Sequence, residues 1–136
     1  METRNKAIIQ RLYKEVLFDW KLDQVEELIA PEFVPRDLPE GSPTGPQPFK
    51  DFYTQVILSV FPDARYEVED LIAEGDRVVV RWRMQGTHQG QYEDVPPTGK
   101  SITLKGIAIY RLKDGKVSDR WVYTNVYHLL KAIQAG

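Results

Sequence analysis

The hydrophobic positions of this chain change period once, and the change divides it in two. Between residues 4 and 18, Ile9, Leu12, Tyr13 and Val16 recur at the spacing i, i+3, i+4, i+7, which predicts a helix with one buried face. Thr3 is placed to cap its start. A shorter stripe of Val25, Leu28 and Ile29 predicts a second helix over 23–30, with Asp23 and Glu26 spaced as a capping box and Pro31 as its stop. Glu32-Phe33-Val34 reads as a short strand. Phe49, Phe52, Tyr53, Val56, Ile57 and Val60 give the apolar face of a third helix, opened by Pro48 and ended by Phe61-Pro62-Asp63. From there the period falls to two. Strands are predicted over 65–74 (around Tyr66, Val68 and Ile72), 77–88 (Val78, Val80, Trp82 and Met84 on one face), 101–111 and 116–124. Gly75-Asp76 and Asp114-Gly115 supply tight turns, 89–100 is a long hairpin loop, and 126–134 reads as a last helical turn or two.

One segment obeys neither period. Residues 35–48 hold five of the nine prolines and two glycines. Each proline fixes φ and removes a backbone donor, so the segment reads as a surface loop over one end of the fold. Helices first and an antiparallel meander afterwards predict an α+β domain. At 136 residues, one domain spanning 1–136 is expected.

Composition removes several classes of function. The net charge is −2, without the basic stripe of a nucleic-acid binder. There is no cysteine, which excludes disulfides, thiol catalysis and cysteine-held metals. No apolar run approaches the length of about 18 residues that spans a bilayer, and the polar start Met1-Glu2-Thr3-Arg4-Asn5-Lys6 is unlike a signal peptide. A cytoplasmic protein is expected. His88 and His128 stand alone, without a nearby carboxylate motif, so no metal is expected.

A set of short motifs then adds up. Phe61-Pro62-Asp63, Glu74-Gly75-Asp76-Arg77-Val78, Arg81-Trp82 and Gly86-Thr87-His88-Gln89-Gly90 follow one another in order. Pro97-Thr98-Gly99-Lys100, Tyr110-Arg111, Asp114-Gly115-Lys116-Val117 and Trp121 continue the series. In order and spacing the chain resembles the SnoaL-like polyketide cyclase (ester cyclase) family of the nuclear transport factor two-like superfamily. The resemblance implies a cone: a strongly curved mixed or antiparallel sheet wrapped around N-terminal helices, an interior pocket, and a homodimer formed through the outer sheet face. It also implies cofactor-independent ring closure. A carboxylate takes a proton from carbon next to a methyl ester, and the enolate attacks a carbonyl of the same molecule. In the family that carboxylate sits four residues after the final-strand tryptophan. Here the position is Asn125, an amide without useful basicity. A second departure is Arg36-Asp37, where relatives often carry His-Asp.

The candidates for chemistry are therefore Asp37, His88 and Asp119, together with Asn125. Residues two apart in a strand share a face, so Asp119, Trp121, Tyr123 and Asn125 are expected in one row. If that row is interior, it offers a carboxylate, two aromatic walls and an amide; if not, Asp119 is an edge residue paired with an arginine. His88, at a strand end, is either a base or a hydrogen-bonded structural histidine. His128 is read as a surface or dimer residue. Tyr13, Arg36, Phe52, Trp82, Trp121 and Tyr123 are the candidates for holding a ligand. Arg81 should point away from Val78, Val80 and Trp82.

Three functions follow. The first is a cofactor-independent cyclase, isomerase, dehydratase or hydrolase acting on a small, largely apolar carbonyl or ring compound. The second is a non-catalytic protein that binds a small hydrophobic or aromatic molecule. The third is a dimerisation module with a filled cone. No nucleic acid and no membrane enters any of them.

Overall fold

The computed structural model describes residues 1–125 together with Leu129, Lys131 and Ile133. The chain begins with α1 (Glu2–Arg11), which continues through a π-helical turn, Leu12–Val16. A 3-10 turn (Leu22–Gln24) leads into the short α2 (Val25–Leu28), and β1 (Ile29–Pro35) follows directly. After the proline-rich loop come α3 (Pro46–Asp51), a second π-helical segment (Phe52–Ile57) and α4 (Leu58–Val60). Four strands complete the order: β2 (Arg65–Glu74), β3 (Arg77–Thr87), β4 (Ser101–Lys113) and β5 (Lys116–Thr124).

The sheet runs β1-β5-β4-β3-β2 and does not close. β1 lies parallel to β5; every other neighbour is antiparallel. The helices fill the concave side, where Ile9, Leu12, Val16 and Leu17 pack with Val78, Val80, Met84 and Val117, all fully buried. This is the α+β cone that the sequence implied.

The helix termini differ from expectation. α1 starts at Glu2, so Thr3 is inside it rather than its cap. α2 covers only four residues, and no side-chain hydrogen bond caps it. Ile29 and Ala30 belong instead to β1, because pairing of Ile29 with Val117 satisfies their backbone in the sheet. The described residues of the terminal segment, Leu129, Lys131 and Ile133, are helical; His128 lies outside the described residues.

Two bulges decide which residues face inward. In β2 the register moves from Val68↔Trp82 to Asp70↔Arg81, which leaves Glu69 as an extra residue. In β5 it moves from Leu112↔Val117 to Arg111↔Asp119, which leaves Ser118 extra. An extra residue reverses the alternation beyond it. Ile72, read with Tyr66 and Val68, therefore points outward and is 58% exposed. Likewise the inward residues of β5 change from Val117 to Arg120 and Val122, which pair with the inward Tyr110 and Ala108. β3 has no bulge, and Arg81 points away from Val80 and Trp82 as expected.

Candidate functional site

Under the proline-rich loop, the helices and the sheet enclose a cavity of about 90 Å³. Six aromatic rings line it: Phe52, Tyr53, Tyr66, Trp82, Tyr13 and Tyr110. Both π-helical segments contribute to it. Tyr13 lies in the first, where Leu17 N–H bonds Leu12 C=O at 3.1 Å; Phe52, Tyr53 and Ile57 lie in the second. Such i→i+5 turns rotate side chains off the helical stripe and recur at functional sites. Trp82 has room because its cross-strand neighbour is Gly106, where a Cβ would sit 2.3 Å from the indole.

Besides Thr124 and the Tyr53 and Tyr66 hydroxyls, three polar groups break the apolar lining. Arg120, 4% exposed, rests against three rings, with its guanidinium carbon 5.6 Å from the centre of Phe33, 5.8 Å from Phe49 and 6.0 Å from Phe52. Its Nε donates to Asp37 Oδ1 at 3.4 Å. Asp37 is in the loop with its backbone at the surface, yet its side chain is only 17% exposed. The carboxylate is thus turned into the fold, with Oδ2 making no hydrogen bond among the described residues. Burial alone would lower the Arg120 guanidinium, but Tyr53, Tyr110 and Asp37 outweigh it, and it stays charged. The third group is the Tyr13–Tyr110 hydroxyl pair, 2.8 Å apart with the rings edge to face. Burial, and the neighbouring phenols, push both hydroxyls above the ordinary tyrosine value. Both therefore remain protonated donors at neutral pH. One proton is used within the pair, and the other is available to a ligand.

Of the expected site residues, Tyr13, Asp37, Phe52 and Trp82 line this cavity. The others lie elsewhere. Asp119 is on the outer side of the bulge, where Arg36 Nε donates to it at 2.9 Å and Ser118 Oγ at 2.7 Å. That is the edge pairing, and it removes Arg36 from the pocket as well. Trp121 stacks under Arg77 at 5.0 Å, and Tyr123 is 66% exposed. Asn125 follows β5 and lines an open groove with Tyr123, Lys105 and Ile107. The row Asp119, Trp121, Tyr123, Asn125 is the outer row because Ser118 shifts the alternation. His88 is fully buried but faces Phe61 and the 89–100 loop, with Nδ1 2.9 Å from Thr98 Oγ1.

Arg120 and Tyr110 were missed by the sequence reading. A tyrosine and an arginine on separate strands become neighbours only through register, and the register depends on the bulge. Among the described residues no group of histidine, aspartate or glutamate is placed to hold a metal ion, and no helix is long and apolar enough to cross a membrane.

The helix-filled cone has counterparts among known proteins, and comparison of sequences says which. The sequence model of the SnoaL-like polyketide cyclases matches residues 7–133, and the chain belongs to that family. It is 29% identical over 100 residues to the nogalonic acid methyl ester cyclase of Streptomyces nogalater, covering 73% of this chain and 75% of that one. Among solved structures, a SnoaL-like protein of Jannaschia sp. CCS1 superposes with a TM-score of 0.83 at 28% identity, covering 99% of this chain and 94% of the other. IdmH of Streptomyces antibioticus gives 0.81 at 27% identity, covering 95% and 97%. A cyclase-type role is the common ground of these likenesses.

Proposed function

We propose that the chain performs cofactor-independent proton transfer on a small apolar carbonyl compound bound in the aromatic cavity, with Asp37 as the base. The observation that carries this reading is one carboxylate, Asp37, whose side chain lines the aromatic cavity together with the Arg120 guanidinium and the protonated Tyr13–Tyr110 hydroxyl pair. In this mechanism Asp37 Oδ2 takes a proton from the carbon next to a carbonyl. Negative charge moves to the carbonyl oxygen, and the spare proton of the Tyr13–Tyr110 pair, with the Arg120 guanidinium, meets it there. The enolate then attacks a second carbonyl of the same molecule, or is reprotonated in an isomerisation. Asp37 would replace the carboxylate that Asn125 lacks.

Nogalonic acid methyl ester, named for the curated relative, is the first substrate to try. Wild-type protein should convert it, and Asp37→Asn should lower the rate by about 10²–10⁴-fold, the usual contribution of a positioned base. Unchanged turnover in Asp37→Asn would remove Asp37 from the chemistry. If the wild type binds the compound and leaves it intact, the binding-protein reading takes over.

The same reading includes a homodimer through the outer sheet face, where Ile72, Ile107 and Tyr123 are exposed. Sedimentation of the wild type against Ile107→Glu would test it, with dissociation expected in the variant.

A further inference from the structure

The cavity is too small for a carbonyl compound that carries a ring. An apolar cavity of about 150 Å³ is what accommodates a single benzene ring, and this one measures about 90 Å³. Small-molecule sites usually span about 300–1,000 Å³. Some part of the wall must therefore yield, and the structure limits where.

Tyr13 and Tyr66 each line the cavity on one side and a surface groove of about 350 Å³ on the other. The groove runs between the end of the first helix and β2, an edge strand of the sheet. Gln10, Phe18, Glu67 and Val68 complete it. Lys14 Nζ lies 4.3 Å and the Arg65 guanidinium 4.7 Å from the centre of the Phe18 ring. With the partition withdrawn, groove and cavity together enter the usual size range.

The two halves of the partition are held differently. Tyr13 is tied by its hydroxyl to Tyr110. Tyr66 packs by ring contacts alone, 5.1 Å from Trp82, 5.8 Å from Tyr53 and 6.4 Å from Trp20, and its hydroxyl makes no hydrogen bond among the described residues. Tyr66 thus lacks the directional tie that holds Tyr13, and its rotamer is set by packing alone. The competing route, past Asp37 and Leu38 in the loop, is pinned at its start. Arg36 N–H bonds Arg120 C=O at 2.8 Å, and two ion pairs flank that bond.

Resting on the proposed function, we infer that the groove is the outer half of the same binding site and that Tyr66 is the swinging panel between the halves. The occupant is an oxygenated ring compound of two or more fused rings. Its reactive carbonyl lies at Asp37, and its remaining rings lie in the groove between Gln10 and Val68.

The test compares two ketones, acetone and the bicyclic 1-tetralone. Gln10 is exposed, so Gln10→Trp fills the groove without disturbing the core. The variant should weaken 1-tetralone binding by calorimetry about tenfold or more. It should also lower Asp37-dependent exchange of the α-protons in D₂O far more for 1-tetralone than for acetone. Equal affinity for 1-tetralone in Gln10→Trp and wild type would overturn the inference. A loss in Leu38→Trp instead would locate the route at the loop. If wild type exchanges neither ketone faster than Asp37→Asn, the proposed chemistry fails, while the calorimetry still decides whether the groove binds the bicyclic ring.

Discussion

Two ion pairs join the same loop to the same strand, one residue apart, and they are opposites. Arg36 reaches Asp119 on the outer side, with the arginine half exposed and the carboxylate covered. Asp37 reaches Arg120 on the inner side, where the arginine is buried among phenylalanine rings. The outer pair is shorter, 2.9 Å against 3.4 Å, yet it is the less consequential of the two. Water screens an exposed guanidinium and replaces its partner when the pair breaks. A buried one has no such substitute. Length therefore says little about importance here; the side of the sheet says more.

Removing the inner arginine should give the largest effect. Arg120→Ala leaves Asp37 without its partner and three rings without their filling, and a loss of about 3–5 kcal/mol in urea unfolding is expected. Arg36→Ala removes a half-exposed guanidinium and fills no ring cluster, but it leaves the covered Asp119 carboxylate with Ser118 as its remaining side-chain donor, so a smaller loss of about 1–3 kcal/mol is expected. Arg120→Met keeps the volume and should stay much closer to wild type, which separates packing from charge. Comparable losses in Arg36→Ala and Arg120→Ala would erase the distinction.

Next in size is Gly106→Ala. Its Cβ would meet the Trp82 indole at 2.3 Å, and forcing a side chain aside in a packed wall destabilises by about 1–3 kcal/mol. Because Trp82 lines the cavity, its fluorescence should shift in the same variant. An unshifted spectrum with full stability would show that the wall has slack.

The outer pair carries the smallest effect, and its sign depends on pH. Burial pushes the Asp119 carboxyl up, but the Ser118 hydroxyl and Arg36 outweigh it and hold the group below its ordinary value of 3.8. A depressed folded value stabilises the protein at pH above that of the unfolded chain, and the contribution disappears as pH falls through the folded value. Asp119→Asn should thus be less stable than wild type by about 1 kcal/mol or less near neutrality. The two curves should converge in strong acid. A gap that widens on acidification would contradict the assignment.

What the sequence made legible follows the same line. β3 alternates without interruption, so Val78, Val80, Trp82 and Met84 were read as one face, and all four are buried. In β2 and β5 one extra residue, Glu69 or Ser118, reversed the alternation, and nothing in the local pattern marks either. Ile72 was misread for that reason, and of the two readings open for the row Asp119, Trp121, Tyr123 the bulge selects the outer one, with Asp119 paired to an arginine. Tyr13, Phe52 and Asp37 were singled out from sequence, yet their meeting is not written there. It arises from two π-helical turns and a loop tied down by ion pairs, all of which are tertiary features.

The contrast between inner and outer carboxylates is tested most directly by α-proton exchange of 1-tetralone in D₂O, followed by NMR. Wild type and Asp119→Asn should exchange at rates within a few-fold of each other, while Asp37→Asn falls by about 10²-fold or more. If Asp37→Asn exchanges like wild type, or Asp119→Asn falls with it, the base is not the carboxylate inside the cavity.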